Sequence, residues 1–223
     1  MAIKEIITDL EKFNDRAKEI DVKKENNLMR EITLNLKHTI RENNLIALAA
    51  PQIGYDKRIF CINFNGDVRT FVNPVQGQVG DLELSREKCP TLGNKEYIRP
   101  RHNSVAMMYQ TPLGKIESNT FKGMAAHAVQ YSVDILDGLL LSDIGFELDE
   151  NWDKASQEER DEVIKMYLES LDLQEKNIKK DIEQDQEAKD LMKQVNVAER
   201  MARGEITVEP ILNNDEEKES EQK

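Results

Sequence analysis

The hydrophobic positions of residues 25–44 repeat with the period of an α-helix. The apolar positions are Leu28, Ile32, Leu36 and Ile40, each four residues after the one before. Apolar residues at this spacing share one face of a helix, and most of the charged residues lie elsewhere on its surface. The pattern predicts an amphipathic helix that leads directly into the apolar residues 45–50.

Short runs rich in β-branched and aromatic residues follow this helix and predict strands. They lie at residues 58–63, 70–75, 104–110 and 115–120. The Thr-Pro-Leu-Gly sequence between the last two runs predicts the turn of a hairpin. Residues 122–138 then predict a mainly apolar helix, and Gly138 is suited to end it.

The character of the chain changes after residue 148. Ser156 and Glu159 have the spacing of a capping box, which marks the start of a helix. Apolar residues then recur at helical spacing; they are Val163, Ile164, Tyr167, Leu168, Leu171, Ile178, Ile182, Leu191, Val195 and Ala198. We therefore predict a domain at 1–148, a helical extension at 149–212 and a disordered acidic tail at 213–223.

The charge of the chain is concentrated in its last third. Residues 149–223 carry 23 acidic and 12 basic residues, a net charge of −11 out of −12 for the whole chain. Without clustered Lys and Arg the chain has no attraction for a phosphate backbone, so we expect no nucleic-acid partner. The two cysteines do not suggest a disulfide framework, and we find no signal peptide or apolar span long enough for a membrane. We expect a cytoplasmic protein, or a virion component if a phage encodes it.

Three segments, in the right order, resemble motifs of the peptide deformylase family. Residues 45–52 (LIALAAPQ) resemble G-x-G-L-A-A-x-Q, and residues 87–91 (EKCPT) stand where the family has E-G-C-L-S. Residues 130–138 (QYSVDILDG) resemble Q-H-E-x-D-H-L-x-G. The resemblance covers roughly residues 5–148. It implies an α+β fold with antiparallel sheets around a central motif helix, to which this chain adds a long C-terminal helical extension.

The resemblance also implies a reaction and the residues that perform it. The family removes the formyl group from the N-terminal methionine of a nascent chain, using a divalent metal held by one Cys and two His. A Glu handles the proton and a Gln stabilises the developing oxyanion. The corresponding positions here are Gln52, Cys89, Tyr131, Ser132 and Ile135.

These replacements predict that the family reaction is lost. Ile135 has no lone pair, a neutral Tyr131 hydroxyl is a poor ligand, and Cys89 alone falls short of the three protein ligands of a catalytic site. Ser132 is no general base near neutral pH, and loss of such a group alone typically costs about 10²–10⁴-fold in rate. We expect no metal, no other cofactor and no catalytic residue. A relocated metal site made by Cys89, His127 and His102 is an alternative that the sequence leaves open.

Two further family positions suggest a structural role. Asp134 occupies the Asp position of the motif helix, and Arg101 follows Pro100 as the family's Arg does. We expect the carboxylate and the guanidinium to pair and to anchor the helix against a strand.

The sequence therefore favours a non-catalytic structural, assembly or protein-interaction component. A phage virion or tail is a setting compatible with such a part. We expect other protein subunits to bind through the C-terminal helices; a homo-oligomer, or packing of the extension on its own domain, are open alternatives. A second interpretation is a divergent deformylase-type metal hydrolase or a protein that binds N-terminal peptides. A third takes the resemblance as accidental and the chain as an ordinary α+β domain.

Overall fold

Two antiparallel sheets enclose one central helix. A computed structural model describes residues 4–13, 15–78 and 80–182 of the 223-residue chain. In chain order the helices and strands are α1 (Asn26–Glu42), β1 (Ala47–Ala49), β2 (Ile59–Phe64), β3 (Asp67–Gln78), β4 (Leu82–Lys88), β5 (Glu96–His102), β6 (Ser104–Gln110), β7 (Ile116–Lys122), α2 (Met124–Leu136), α3 (Leu141–Ile144), β8 (Phe146–Leu148) and α4 (Gln157–Ile182). The larger sheet has the order β1-β2-β3-β6-β7, and the smaller has the order β4-β5-β8.

The first of two hydrophobic cores surrounds α2. This helix contacts β1, β2, β6 and β7 of the larger sheet and β5 of the smaller one. Most of its residues are buried, so it is apolar on nearly all sides, as expected of a helix inside a domain. The two sheets and α2 therefore share one core, and any side chain on the buried surface of α2 faces one of the sheets.

The second core lies on the other face of the larger sheet, beneath α1. Strand residues alternate between the two cores: Phe60 and Ile62 of β2 face α2, whereas Ile59 and Cys61 face α1. The helix buries the apolar stripe that its sequence predicts, including Ile32, Leu36 and Ile40. A strand buried on both faces reads as a continuous apolar run, which explains the composition of residues 58–63.

The structure confirms the α+β class, the antiparallel sheets around the motif helix and a C-terminal helix. The helices predicted at 25–44 and 122–138 are present as α1 and α2, and all four predicted strands are present. The strands β4, β5 and β8 were not predicted. The predicted tail at 213–223, and the predicted extension beyond residue 182, lie outside the described residues. No described helix is both long enough and apolar enough to span a membrane.

The first part of the extension lies against the smaller sheet. The ring of Phe146 on β8 is 6.1 Å from that of Trp152 and 5.9 Å from that of Tyr167 on α4. The Tyr167 hydroxyl donates to the Ile144 carbonyl oxygen over 2.9 Å. At the start of α4 the predicted capping box is confirmed, because Ser156 and Glu159 exchange hydrogen bonds. The extension therefore begins by packing on its own domain.

Gly138 ends α2 in a conformation that other residues adopt only with strain. Its φ is +80°, and a Cβ there would lie 2.9 Å from the Phe13 carbonyl oxygen. We expect Gly138→Ala to lower the thermal midpoint by about 4–10 °C, because backbone strain and a steric clash add. Gly66 is the matched control, since its φ is +98° but no atom lies within 4 Å of the added carbon. Gly66→Ala should cost about 2–4 °C, and equal shifts in a melting experiment would contradict the steric argument.

Candidate functional site

Three segments that are far apart in the chain bring Gln52, Cys89 and Tyr131 into contact. Gln52 lies in a 3-10 turn, Ala50–Ile53, that follows β1. Cys89 follows the last residue of β4, and Tyr131 lies in the middle of α2. The Tyr131 hydroxyl donates to Cys89 Sγ over 3.1 Å, and Gln52 Nε2 donates to the Tyr131 hydroxyl oxygen over 3.0 Å. The structure thus joins three of the five positions that the sequence singles out.

The amide of Gln52 is held in one orientation. Its Oε1 accepts a hydrogen bond from the backbone N–H of Ala49 over 3.0 Å, so Nε2 points into the site. There Nε2 also lies 3.3 Å from Thr91 Oγ1 and 3.8 Å from Cys89 Sγ. Sequence analysis assigned no role to Thr91, although it lies only two residues after Cys89 in the second motif.

Tyr131 is a neutral hydrogen-bond donor in this site. Burial raises the pKa of its hydroxyl well above the ordinary value, and Cys89 raises it further. Gln52 and Cys89 are fully buried and Tyr131 is 7% exposed, so water does not replace these hydrogen bonds. A phenol that stays protonated donates to the sulfur and offers little as a metal ligand.

Ser132 and Ile135 take no part in this cluster. Ser132 Oγ donates to the carbonyl oxygen of Ala128, one turn earlier in the same helix, over 2.8 Å. Ile135 is 1% exposed and belongs to the hydrophobic core around α2. Neither side chain is placed to bind a metal or to move a proton at Cys89.

The alternative metal site of Cys89, His127 and His102 is not assembled. His127 Nε2 lies 2.9 Å from Glu83 Oε1, although it is not aligned for a hydrogen bond. His102 Nδ1 lies 2.6 Å from the carbonyl oxygen of Gly80. Within the described part of the chain no three His, Cys, Asp or Glu side chains are placed to hold a metal ion. The donors present at the family site, one thiol and one neutral phenol, do not fit a catalytic metal.

A buried ionic cluster fixes the smaller sheet to α2. Arg101 on β5 is 2% exposed and lies 2.5 Å from Asp134 on α2. It also makes two hydrogen bonds of 2.8 Å to both carboxylate oxygens of Glu87 on β4. Arg99 Nε lies 3.7 Å from Asp134. The structure thus contains the Arg101–Asp134 pair that the sequence suggests, within a larger set that the sequence did not reveal.

The charges of this cluster depend on one another. Burial raises the pKa of Asp134 above its ordinary value, although Arg101 and Arg99 act to lower it. Burial alone would lower the pKa of Arg101, but Asp134 and Glu87 raise it above the usual value. Arg101 therefore stays charged between two carboxylates.

Gln130 ties β5 to α2 a second time. Its Nε2 donates to the His102 carbonyl oxygen over 2.8 Å, and its Oε1 accepts from the His102 backbone N–H over 2.9 Å. The first residue of the third motif is thus a structural link.

Two cavities lie away from this cluster. They have volumes of about 210 and 590 Å³ and share Val22 and Lys23 in the loop before α1. Neither is lined by Gln52, Cys89 or Tyr131. The cluster itself is filled by protein side chains.

Comparisons with known proteins agree with the motifs. The family model described as polypeptide deformylase matches residues 3–149. A peptide deformylase of Dictyoglomus thermophilum is 28% identical over 141 residues, which are 62% of this chain and 92% of the relative. One of Fusobacterium nucleatum is 32% identical over 128 residues, which are 56% of this chain and 72% of the relative. The interpretation of the resemblance as accidental is therefore wrong.

Solved structures show the same fold. The crystal structure of peptide deformylase from Thermotoga maritima has a TM-score of 0.60 and 23% identity, and the match covers 65% of this chain and 98% of that one. A Met-Ala-Ser-bound class I type b peptide deformylase from Acinetobacter baumannii has a TM-score of 0.60 and 22% identity, with 64% and 99% covered. Both matches cover nearly the whole of the solved chain and about two thirds of this one.

Proposed function

Because this chain belongs to the polypeptide deformylase family, we propose that it is a non-catalytic member that serves as a structural or assembly component and binds other proteins. The observation that carries the proposal is the direct hydrogen bond between Tyr131 and Cys89. It joins two positions at which the family has metal ligands. A thiol bonded to a neutral phenol has no ion to polarise a formyl group or to activate water.

The loss of the base is independent of the loss of the metal. Ser132 stands at the position of the family's Glu, and its hydroxyl is bonded to the carbonyl oxygen of Ala128. A missing general base typically costs about 10²–10⁴-fold in rate even where the metal is retained. Two separate losses at one site support the absence of turnover more strongly than either alone.

The extension supports a role in binding proteins. On α4, Met166 is 65% and Leu168 39% exposed, so the helix offers apolar side chains on a surface that its own domain does not cover. The acidic charge of residues 149–223 favours a partner with a basic surface. We propose other protein subunits as partners, bound through the C-terminal helices. A phage virion or tail, or a homo-oligomer of this chain, would each supply such subunits.

A second candidate function is a divergent hydrolase, or a protein that binds N-terminal peptides without cleaving them. The retained contact between Gln52 and Cys89 favours it, because the family uses both residues at its reaction centre. Binding of a formyl-Met-Ala-Ser peptide without turnover would identify the second form, and calorimetry would measure it.

A metal analysis combined with a deformylation assay tests the proposal. We expect the purified chain to contain far less than one equivalent of iron, nickel or zinc. With formyl-Met-Ala-Ser as substrate we expect no turnover above the protein-free rate, with or without added metal. The Thermotoga maritima relative, assayed in parallel, shows that the conditions support the reaction. A stoichiometric metal that is lost in Cys89→Ala, together with turnover, would overturn the proposal.

A further inference from the structure

The Tyr131 hydroxyl occupies the centre of a set of contacts that joins three parts of the fold. Its partner Cys89 lies 42 residues away in the chain, and its partner Gln52 lies 79 residues away. We propose that Tyr131 replaces the metal as the structural link among the end of β1, the end of β4 and α2, so that the fold is complete without an ion. This inference rests on the proposed loss of the hydrolase site.

The distance between the two former ligand positions supports direct contact. Two ligands of a tetrahedral zinc ion, one sulfur and one oxygen or nitrogen, lie about 3.5 Å apart, as follows from the usual bond lengths. Tyr131 Oη and Cys89 Sγ are closer, at 3.1 Å. The separation is that of a hydrogen bond between the two groups, with no ion between them.

The hydroxyl also satisfies polar atoms that would otherwise be unpaired. Cys89 Sγ accepts from it, and Gln52 Nε2 donates to it. All three side chains are buried, so each hydrogen bond that is lost there would leave a group without water to replace it. A phenylalanine at this position would fill the same space but would leave the sulfur without its donor.

The link connects elements that are otherwise held separately. The Gln52 turn follows β1 of the larger sheet, and Cys89 follows β4 of the smaller sheet. Both sheets pack on α2, which carries Tyr131. A structural metal stabilises a domain by tying such separate segments together, and the hydroxyl ties the same three segments with two hydrogen bonds.

The variant Tyr131→Phe tests the link, because it removes only the hydroxyl. We expect its thermal midpoint to fall by about 3–8 °C. The matched control is Tyr97→Phe, whose hydroxyl donates to the half-exposed Glu147 over 3.0 Å. Water is able to replace that bond, so the control should lose about 2 °C or less. Equal shifts in the two variants would overturn the inference.

Chelation separates this inference from the proposed function. We expect the wild-type midpoint to be unchanged by EDTA and by added Zn²⁺. A metal-free wild type with an unaffected Tyr131→Phe variant would overturn only the structural link. A stoichiometric ion whose removal lowers the midpoint would overturn both proposals.

Restoring the family ligands supplies a second, positive test. The double variant Tyr131→His/Ile135→His keeps Cys89 and places two imidazoles one helical turn apart, which is the family arrangement. We expect it to retain about one Zn²⁺ per chain after dialysis, and EDTA should then lower its midpoint. Adding Cys89→Ala should abolish the retention. A folded double variant that binds no Zn²⁺ would show that Tyr131 does not stand in for a ligand.

Discussion

Replacing Arg101 with alanine should lower the thermal midpoint of the protein by about 6–20 °C. The substitution leaves Glu87 and Asp134 without their shared cation in a buried site. Breaking a buried ion pair by removing one partner typically costs about 3–5 kcal/mol, and each kcal/mol shifts the midpoint of a chain of this size by about 2–4 °C. Thermal unfolding followed by circular dichroism would measure the shift.

Arg86 supplies the matched control for this prediction. It lies on β4 and also contacts two carboxylates, Glu96 and Asp153. Its side chain is 47% exposed, so water and salt screen both contacts. Arg86→Ala should therefore lower the midpoint by about 4 °C or less. A larger effect at Arg86 than at Arg101 would contradict the structural importance of the buried cluster.

The pH dependence of the Arg101→Ala variant provides an independent readout. Burial raises the pKa of Asp134 in the folded protein, and Arg101 is the group that lowers it most. Without Arg101 the pKa should rise further. A carboxyl whose folded pKa lies above its unfolded value stabilises the fold fully below the unfolded pKa, and that contribution is lost as the pH rises through the folded pKa. The deficit of the variant should therefore shrink between about pH 7.5 and about pH 5. A constant deficit would mean that Asp134 does not carry the penalty.

The same cluster explains which strands could not be predicted from the sequence. The strands β2, β6 and β7 have apolar or alternating patterns, and they were predicted within two residues of their observed ends. In the β4–β5 hairpin the inward positions hold Glu87 and Arg101, paired with each other and with α2. Hydrophobic periodicity does not register a buried face that is ionic. The β-strand pattern is present, but in charge rather than in hydropathy.

The candidate site was predictable only as a set of positions. The order of the three family motifs indicated that Gln52, Cys89 and Tyr131 lie near one another. The sequence did not reveal that the Tyr131 hydroxyl bonds directly to Cys89, because that contact depends on how deeply a phenol reaches from α2. Nor did it reveal Thr91 as a further partner of Gln52. Residue types and their order thus predicted the loss of the metal chemistry, whereas the link that replaces it required the fold.

The extension shows a similar division. Its capping box and apolar stripe were legible in the sequence, and α4 begins where they predict. Which surface the stripe meets was open. Tyr167 packs against Phe146 on β8, so the root of the helix belongs to the domain. Met166 and Leu168 remain exposed for other contacts. A cut that separates the domain from the extension must therefore spare β8.

Two truncations that differ by ten residues should behave very differently. A chain that ends at Gly145 lacks β8, which pairs with β5 through Phe146 and Leu148. It exposes an unpaired strand edge and the buried Ile98. A chain that ends at Ala155 keeps β8, the contact of Trp152 with Phe146 and the pair of Asp153 with Arg86. We expect the shorter chain to aggregate, or to melt at least about 10 °C below the full-length chain.

The longer truncation serves as the control, because it loses Tyr167 and α4 but no strand. It should stay folded, with a midpoint about 3–8 °C below that of the full-length chain, since only half-buried contacts are lost. Light scattering and size-exclusion chromatography would distinguish a folded monomer from an aggregate. If both truncations are equally stable, β8 is not part of the domain's required core. If both aggregate, α4 completes the core, and the helix is not free to serve a protein partner.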